Sequence, residues 1–147
     1  MSYHHILIPV DGSSTSQVAI QHAAKLAKAF GSKVTAICVL TVDPFVAVEF
    51  INSDEFSKEY FNKVKEEIEQ ILVDTKNLFA KEGVAIETRI IEGQTIHKEI
   101  VDTATTLNAD LIIIGSHGRK GFKKFVLGSV TQALLGETHV PVLVIKE

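Results

Sequence analysis

The sequence predicts a doubly wound α/β domain: a five-stranded parallel sheet with helices on both faces. Three observations lead there. Short apolar runs alternate with amphipathic stretches along the whole chain. Runs such as Val34 to Leu40 and Leu111 to Ile114 are nearly continuous in apolar residues, the pattern of strands covered on both sides. The strand–helix order repeats with no Pro/Ser/Gly-rich linker to mark a boundary, so residues 1–147 are expected to form one domain.

Ile6-Leu7-Ile8-Pro9-Val10 reads as a buried strand closed by the turn Asp11-Gly12. Pro9 then has to lie where a ladder donor is dispensable. Ser14 and Gln17 have capping-box spacing, and Val18, Ala19, Ala23, Leu26, Ala27 and Phe30 mark one helical face before Gly31 stops it. Val34 to Leu40 is the second strand. The connection 41–53 carries Phe45, Val46, Val48, Phe50 and Ile51, too apolar for a solvated loop, and is expected to cover something. From Asp54 to Glu82 the pattern is helical, with Phe61, Val64, Ile68, Ile71, Leu72, Leu78 and Phe79 on one side and Gly83 as the stop. Val84 to Ile91 alternates as an edge-type strand ended by Glu92-Gly93, and Thr95 is placed to cap a helix through Leu107. Leu111 to Ile114 is a buried strand, Ser129 to Leu135 a short helix, and Pro141 to Ile145 the terminal strand.

Composition bounds the function. A chain of 147 residues with 46% apolar content can bury a core without disulfides or metals. The single cysteine, Cys38, lies inside an apolar run and reads as core of a protein from a reducing compartment. Only five apolar-type residues follow His5 before Asp11, too few for a signal peptide, and no run approaches a membrane span. A soluble cytoplasmic protein is expected. A net charge of −3 argues against a general nucleic-acid binder.

Against that mildly acidic background, residues 115–129, GSHGRKGFKKFVLGS, pack four glycines and the cations Arg119, Lys120, Lys123 and Lys124 into fifteen positions with no acid. Glycine lets backbone amides approach an anion, and the helix start at Gly128-Ser129 supplies further donors. In an open parallel sheet, ligands bind beyond the carboxyl ends of the strands where the winding reverses. If Asp11-Gly12 and Gly115 to Gly118 line one crevice, the strand order is 3-2-1-4-5 with the crevice between strands 1 and 4. The glycine spacing is Gly115-x-x-Gly118, nine residues, Gly128-Ser129. The Walker and dinucleotide fingerprints are both absent. Read on its own, the loop could equally be glycine punctuation in a solvated basic patch.

The chain resembles the universal stress protein family in three motifs: Ile-Leu-Ile-Pro-Val-Asp-Gly-Ser at 6–13, the glycine pattern just given, and the closing Val140-Pro-Val-Leu-Val-Ile145. The glycine pattern is that of the family's nucleotide-binding branch. The resemblance implies ATP as ligand, with or without Mg²⁺. It places Pro9, Val10 and Asp11 at the nucleotide, with Asp11 near the ribose, and the backbone of Val39 or Leu40 at adenine. It sets Ile114 and Gly115 beside the sugar and Gly118, Arg119, Gly128, Ser129 and Val130 at the phosphates. A carboxylate suits two vicinal hydroxyls, and an arginine suits phosphate. The family also implies a homodimer formed through the last strand, here Val140, Val142 and Val144.

Catalysis is thinly provided for. Hydrolysis requires a positioned water and usually Mg²⁺ held by more than one protein oxygen, and Asp11 alone is a thin provision. His117 reads as a surface or phosphate-contact residue rather than a base. His4 and His5 point to opposite strand faces, and His22, His97 and His139 lack ligand spacing, so no metal site is expected. The sequence therefore points to an ATP-dependent stress-response sensor or switch with slow or absent hydrolysis. The alternatives are a Mg²⁺-dependent ATPase or phosphotransferase, and a nucleotide-free protein that binds a regulatory partner through segment 45–51 and the dimer face.

Overall fold

Five strands pair in the computed structural model in the order 3-2-1-4-5, every pair parallel, which is the order expected from the two functional turns. The structure describes residues 3–41, 54–117 and 127–147. The elements in chain order are β1 (His5–Pro9), α1 (Ser14–Phe30), β2 (Lys33–Thr41), α2 (Asp54–Lys81), β3 (Glu87–Gly93), α3 (Ile96–Thr106), β4 (Leu111–Gly115), α4 (Ser129–Glu137) and β5 (Val142–Ile145).

Alternation along the central strands sends side chains into two cores, one per face. Ile6, Ile8, Val34, Ala36, Cys38, Leu40, Leu111 and Ile113 meet α1 through Ala19, Ala23 and Ala27 and α2 through Ile68, Leu72 and Phe79. Leu7, Ile37, Ile112 and Ile114 meet α3 through Ile100 and Ala104 and α4 through Leu134. Small residues on α1 bring that helix close to the sheet. Phe79 and the β1 and β4 isoleucines Ile6, Ile8, Ile112 and Ile113 are fully buried, each contributing about 1.5–3 kcal/mol. Cys38 is core, as expected. Among the described residues no helix is long and apolar enough to cross a membrane.

Several local expectations shift. The cap of α1 is Ser13, not Ser14: with φ −73° and ψ 162° Ser13 is extended, and its side chain accepts from the Ser16 amide. The turn at Gly12, φ 80°, sets Ser13 there, one residue earlier than the sequence spacing implied. Thr95 precedes α3 but makes no side-chain capping bond; its carbonyl accepts from the Glu99 amide at 3.1 Å. β3 begins at Glu87 rather than Val84. The Val84 amide is still tied to Phe79 at the end of α2, so the chain clears the helix before it can pair with β2. As its alternating pattern implied, β3 is an edge strand. Phe61, assigned to the inner face of α2, is exposed, as is Phe30 at the end of α1, which meets Tyr3 edge-on.

Candidate functional site

The crevice begins at a proline. The Val10 amide donates to the Ile37 carbonyl at 2.8 Å, so Val10 turns its peptide edge toward β2, and strand alternation turns that of Pro9 toward β4. Proline has no N–H with which to continue that ladder. Among the described residues, pairing of β1 with β4 ends at Leu7↔Ile112, whereas pairing with β2 runs on to Pro9↔Ile37. The two central strands thus part at their carboxyl ends. α1 and α4 lie on opposite faces of the sheet, so the parting coincides with the reversal of winding.

One wall is the β1–α1 turn. Asp11 Oδ1 accepts from the Ser13 amide at 2.9 Å, and Ser13 Oγ accepts from the Ser16 amide at 3.2 Å. The Asp11 amide in turn donates to Ser16 Oγ at 3.4 Å. A carboxylate oxygen that accepts one amide keeps acceptor capacity, and the cap fixes its position.

The other wall joins the end of β4 to the start of α4. The Ser116 amide donates to the Ile145 carbonyl at 2.8 Å, and the Ser116 carbonyl accepts the Gly128 amide at 2.7 Å. The Thr131 hydroxyl donates to the Gly115 carbonyl at 2.9 Å. A Cβ on Gly128 would lie 3.2 Å from His117 Cα, so the backbone that leaves at His117 and the backbone that returns at Gly128 touch. The two walls are also in contact: a Cβ on Gly115 would lie 2.7 Å from Thr15 Cγ2.

The structure therefore brings Pro9, Val10 and Asp11 together with Gly115, Gly128, Ser129 and Val130 around the parted strand ends. Ile114 is buried in the second core beneath them. Val39 and Leu40 lie in β2 beyond Ile37, the last partner of β1. They divide by the same alternation. The Ile37 carbonyl faces β1, so the peptide edge of Val39 also faces that side, past the point where β1 stops, while that of Leu40 faces β3. Gly118, Arg119 and the lysines at 120, 123 and 124 lie outside the described residues, as does the apolar segment 45–51.

Three residues that the sequence reading did not single out hold the walls together: Thr15, Ser116 and Thr131, all buried. A hydroxyl residue in the first turn of each flanking helix was the available signal. The expectation that Gly128 offers its amide to a ligand is also changed, because that amide is engaged by Ser116. Gly128 instead allows close approach.

The universal stress protein family matches residues 2–146. The chain is 39% identical over 145 residues to the universal stress protein MJ0531 of Methanocaldococcus jannaschii, covering 99% of this chain and 83% of that one. The solved structure of protein MJ0577 from the same organism superposes with a TM-score of 0.83 at 31% identity, covering 100% of this chain and 98% of that one. A universal stress protein from Archaeoglobus fulgidus in complex with dAMP has the same fold, with a TM-score of 0.67 at 24% identity over 99% of this chain and 100% of that one. The five-stranded parallel sheet in this order agrees with these matches, and the chain belongs to the universal stress protein family.

Proposed function

We propose that the chain binds ATP in the crevice between β1 and β4 and acts as a nucleotide-dependent switch in the stress response. The observation that carries this reading is the juxtaposition of Asp11 with the Gly115–Ser116/Gly128 stem across strands that Pro9 holds apart. The dAMP complex of the Archaeoglobus fulgidus protein supports an adenine nucleotide as the ligand class.

In this reading the Val39 peptide edge meets the adenine, and Pro9 and Val10 line its approach. Asp11 accepts from the ribose hydroxyls, and Ile114 and Gly115 bound the sugar. The amides of Ser129 and Val130, at the start of α4, face the phosphates together with the Ser129 hydroxyl, Gly118 and Arg119. Mg²⁺ accompanies the nucleotide if it is present, and supplies charge neutralisation at the phosphates.

Hydrolysis is slow or absent on this reading. Asp11 Oδ1 already holds the Ser13 amide, and the ring nitrogens of His117 lie against Ser116 and Thr15. Neither group is arranged to activate a water. β5 lies at the sheet edge, and we place the homodimer contact there, in a cytoplasmic protein.

Calorimetric titration of ATP into the purified chain tests the reading. Saturable binding weakened tenfold or more by Asp11→Ala, about 1.4 kcal/mol, is expected. The absence of binding would overturn it, and rapid multiple-turnover phosphate release that collapses on Asp11→Ala would replace the switch with an enzyme.

A further inference from the structure

His117 is the last described residue before the glycine- and cation-rich stretch, and its ring lies at the meeting point of three parts of the fold. Its Nδ1 lies 3.0 Å from Ser116 Oγ, and its Nε2 lies 3.4 Å from Thr15 Oγ1. The Nε2 is also 3.9 Å from Glu147 Oε2 at the end of the chain, and the His117 side chain is only 17% exposed. Thr15 is 1% exposed and sits in the first turn of α1, two residues after the cap that fixes Asp11. The ring therefore spans from the nucleoside wall of the crevice to the first residue of the phosphate wall. Gly128 packs close to its Cα.

We infer that His117 is a positioning residue that ties the Ser116/Gly128 stem, and with it the start of α4, to the first turn of α1, so that affinity for the phosphates depends on it while affinity for the nucleoside does not. This rests on the nucleotide reading above. The Ser116 hydroxyl and the Nε2 contacts with Thr15 and Glu147 use both ring nitrogens, which fixes the ring plane. With the ring held, the backbone at 117 cannot swing away from Gly128 without breaking contacts to α1 and to the chain terminus. An alanine there leaves the Ser116–Gly128 hydrogen bond in place but removes the tie between the walls.

The test is to measure dissociation constants for ATP and for adenosine with the wild type, His117→Ala, His117→Gln and Thr15→Val. Glutamine can place an amide nitrogen near the position of Nε2, and valine keeps the buried shape of Thr15 without its hydroxyl. The expected result is a roughly tenfold loss of ATP affinity in His117→Ala with adenosine affinity within about twofold of wild type. His117→Gln should recover most of the loss, and Thr15→Val should lose about as much as His117→Ala, with no further loss in the double variant. Equal losses for ATP and adenosine, no loss for either, or no recovery in His117→Gln would overturn the inference. Failure of the wild type to bind ATP would overturn the nucleotide reading along with it, whereas normal wild-type binding with an unchanged His117→Ala overturns the positioning role alone.

Discussion

The amide of Gly128 donates to the carbonyl of Ser116 at 2.7 Å, and this bond closes the stem from which the cation-rich stretch departs and to which it returns. A side chain at 128 would have to share the space of the His117 backbone, whose Cα would lie 3.2 Å from the new Cβ. Backbone cannot rotate away as a side-chain tip can. Gly128→Val is therefore expected to open the stem, weakening ATP binding by tenfold or more and costing about 1–3 kcal/mol of stability. Titration calorimetry and urea unfolding of the same sample check the two effects.

Gly115 and Thr15 form a second tight pair. Alanine at 115 would set its Cβ 2.7 Å from Thr15 Cγ2 and 3.3 Å from Thr15 Cβ. Gly115→Ala should destabilise by about 1–3 kcal/mol as the buried Thr15 is displaced. Thr15→Ser in the same chain removes the clashing methyl and should restore part of the loss, leaving the contact with Cβ. Unfolding midpoints of the two single variants and the double variant measure this coupling; strict additivity would contradict it.

At the opposite end of the sheet, Asp110 clasps the start of β1. Its Oδ2 accepts from the His4 amide at 2.8 Å and its Oδ1 from the His5 amide at 2.9 Å. Burial pushes its pKa up, but hydrogen bonds from the amides of His4, His5 and Asp110 itself, with the charge of His4, outweigh that, and the pKa lies below the ordinary 3.8. A carboxyl with a lowered folded pKa stabilises the fold above its unfolded pKa and loses that contribution as pH falls through the folded value. Asp110→Asn should cost about 1 kcal/mol at neutral pH, given its partial solvent exposure. The gap from wild type should narrow as pH drops below about 4. Thermal unfolding from neutral pH down into the acid range follows it; a gap that widens in acid would be the wrong sign.

The outer edge of β5 supplies the dimer prediction. The Ile112 amide reaches the Pro141 carbonyl and the Ser116 amide reaches the Ile145 carbonyl, so odd-numbered residues face β4 and the peptide edges of Val142 and Val144 face outward. Val144→Pro removes an outward donor at a position where an edge strand tolerates proline. Sedimentation should show a wild-type dimer become a folded monomer. An unchanged dimer would place the contact elsewhere, for instance around the exposed Ile96 and Leu135.

How much of this was legible in the sequence depends on the range of the interactions. Continuous apolar runs such as Leu111 to Ile114 and Val34 to Leu40 reveal buried strands because both faces must be covered, and Pro9 reveals a missing donor because proline has none. The order 3-2-1-4-5 followed from two turns sharing one crevice. The position of the α1 cap was not legible, because Ser13, Ser14 and Ser16 are chemically alike and only the backbone at Gly12 chooses among them. Nor was the start of β3, which the Phe79 carbonyl delays by holding the Val84 amide just past the end of α2. Thr15, Ser116 and Thr131 were missed because their partners are distant in sequence: Thr131 reaches Gly115, Thr15 reaches His117 and Ser116 reaches Ile145, contacts that no local pattern encodes. Which of Val39 and Leu40 turns its peptide edge toward the β1 side was not legible either, because that depends on the register of β2 against both neighbours.

The most direct measurement of the central claim is to denature the freshly purified protein, remove the precipitate and chromatograph the supernatant for nucleotide, beside a Gly118→Val/Gly128→Val control, and then to titrate ATP into the nucleotide-free chain. Intact adenine nucleotide released from the wild type, none from the control, and saturable ATP binding by the stripped wild type are the predicted results. No released nucleotide together with no ATP binding would contradict the claim.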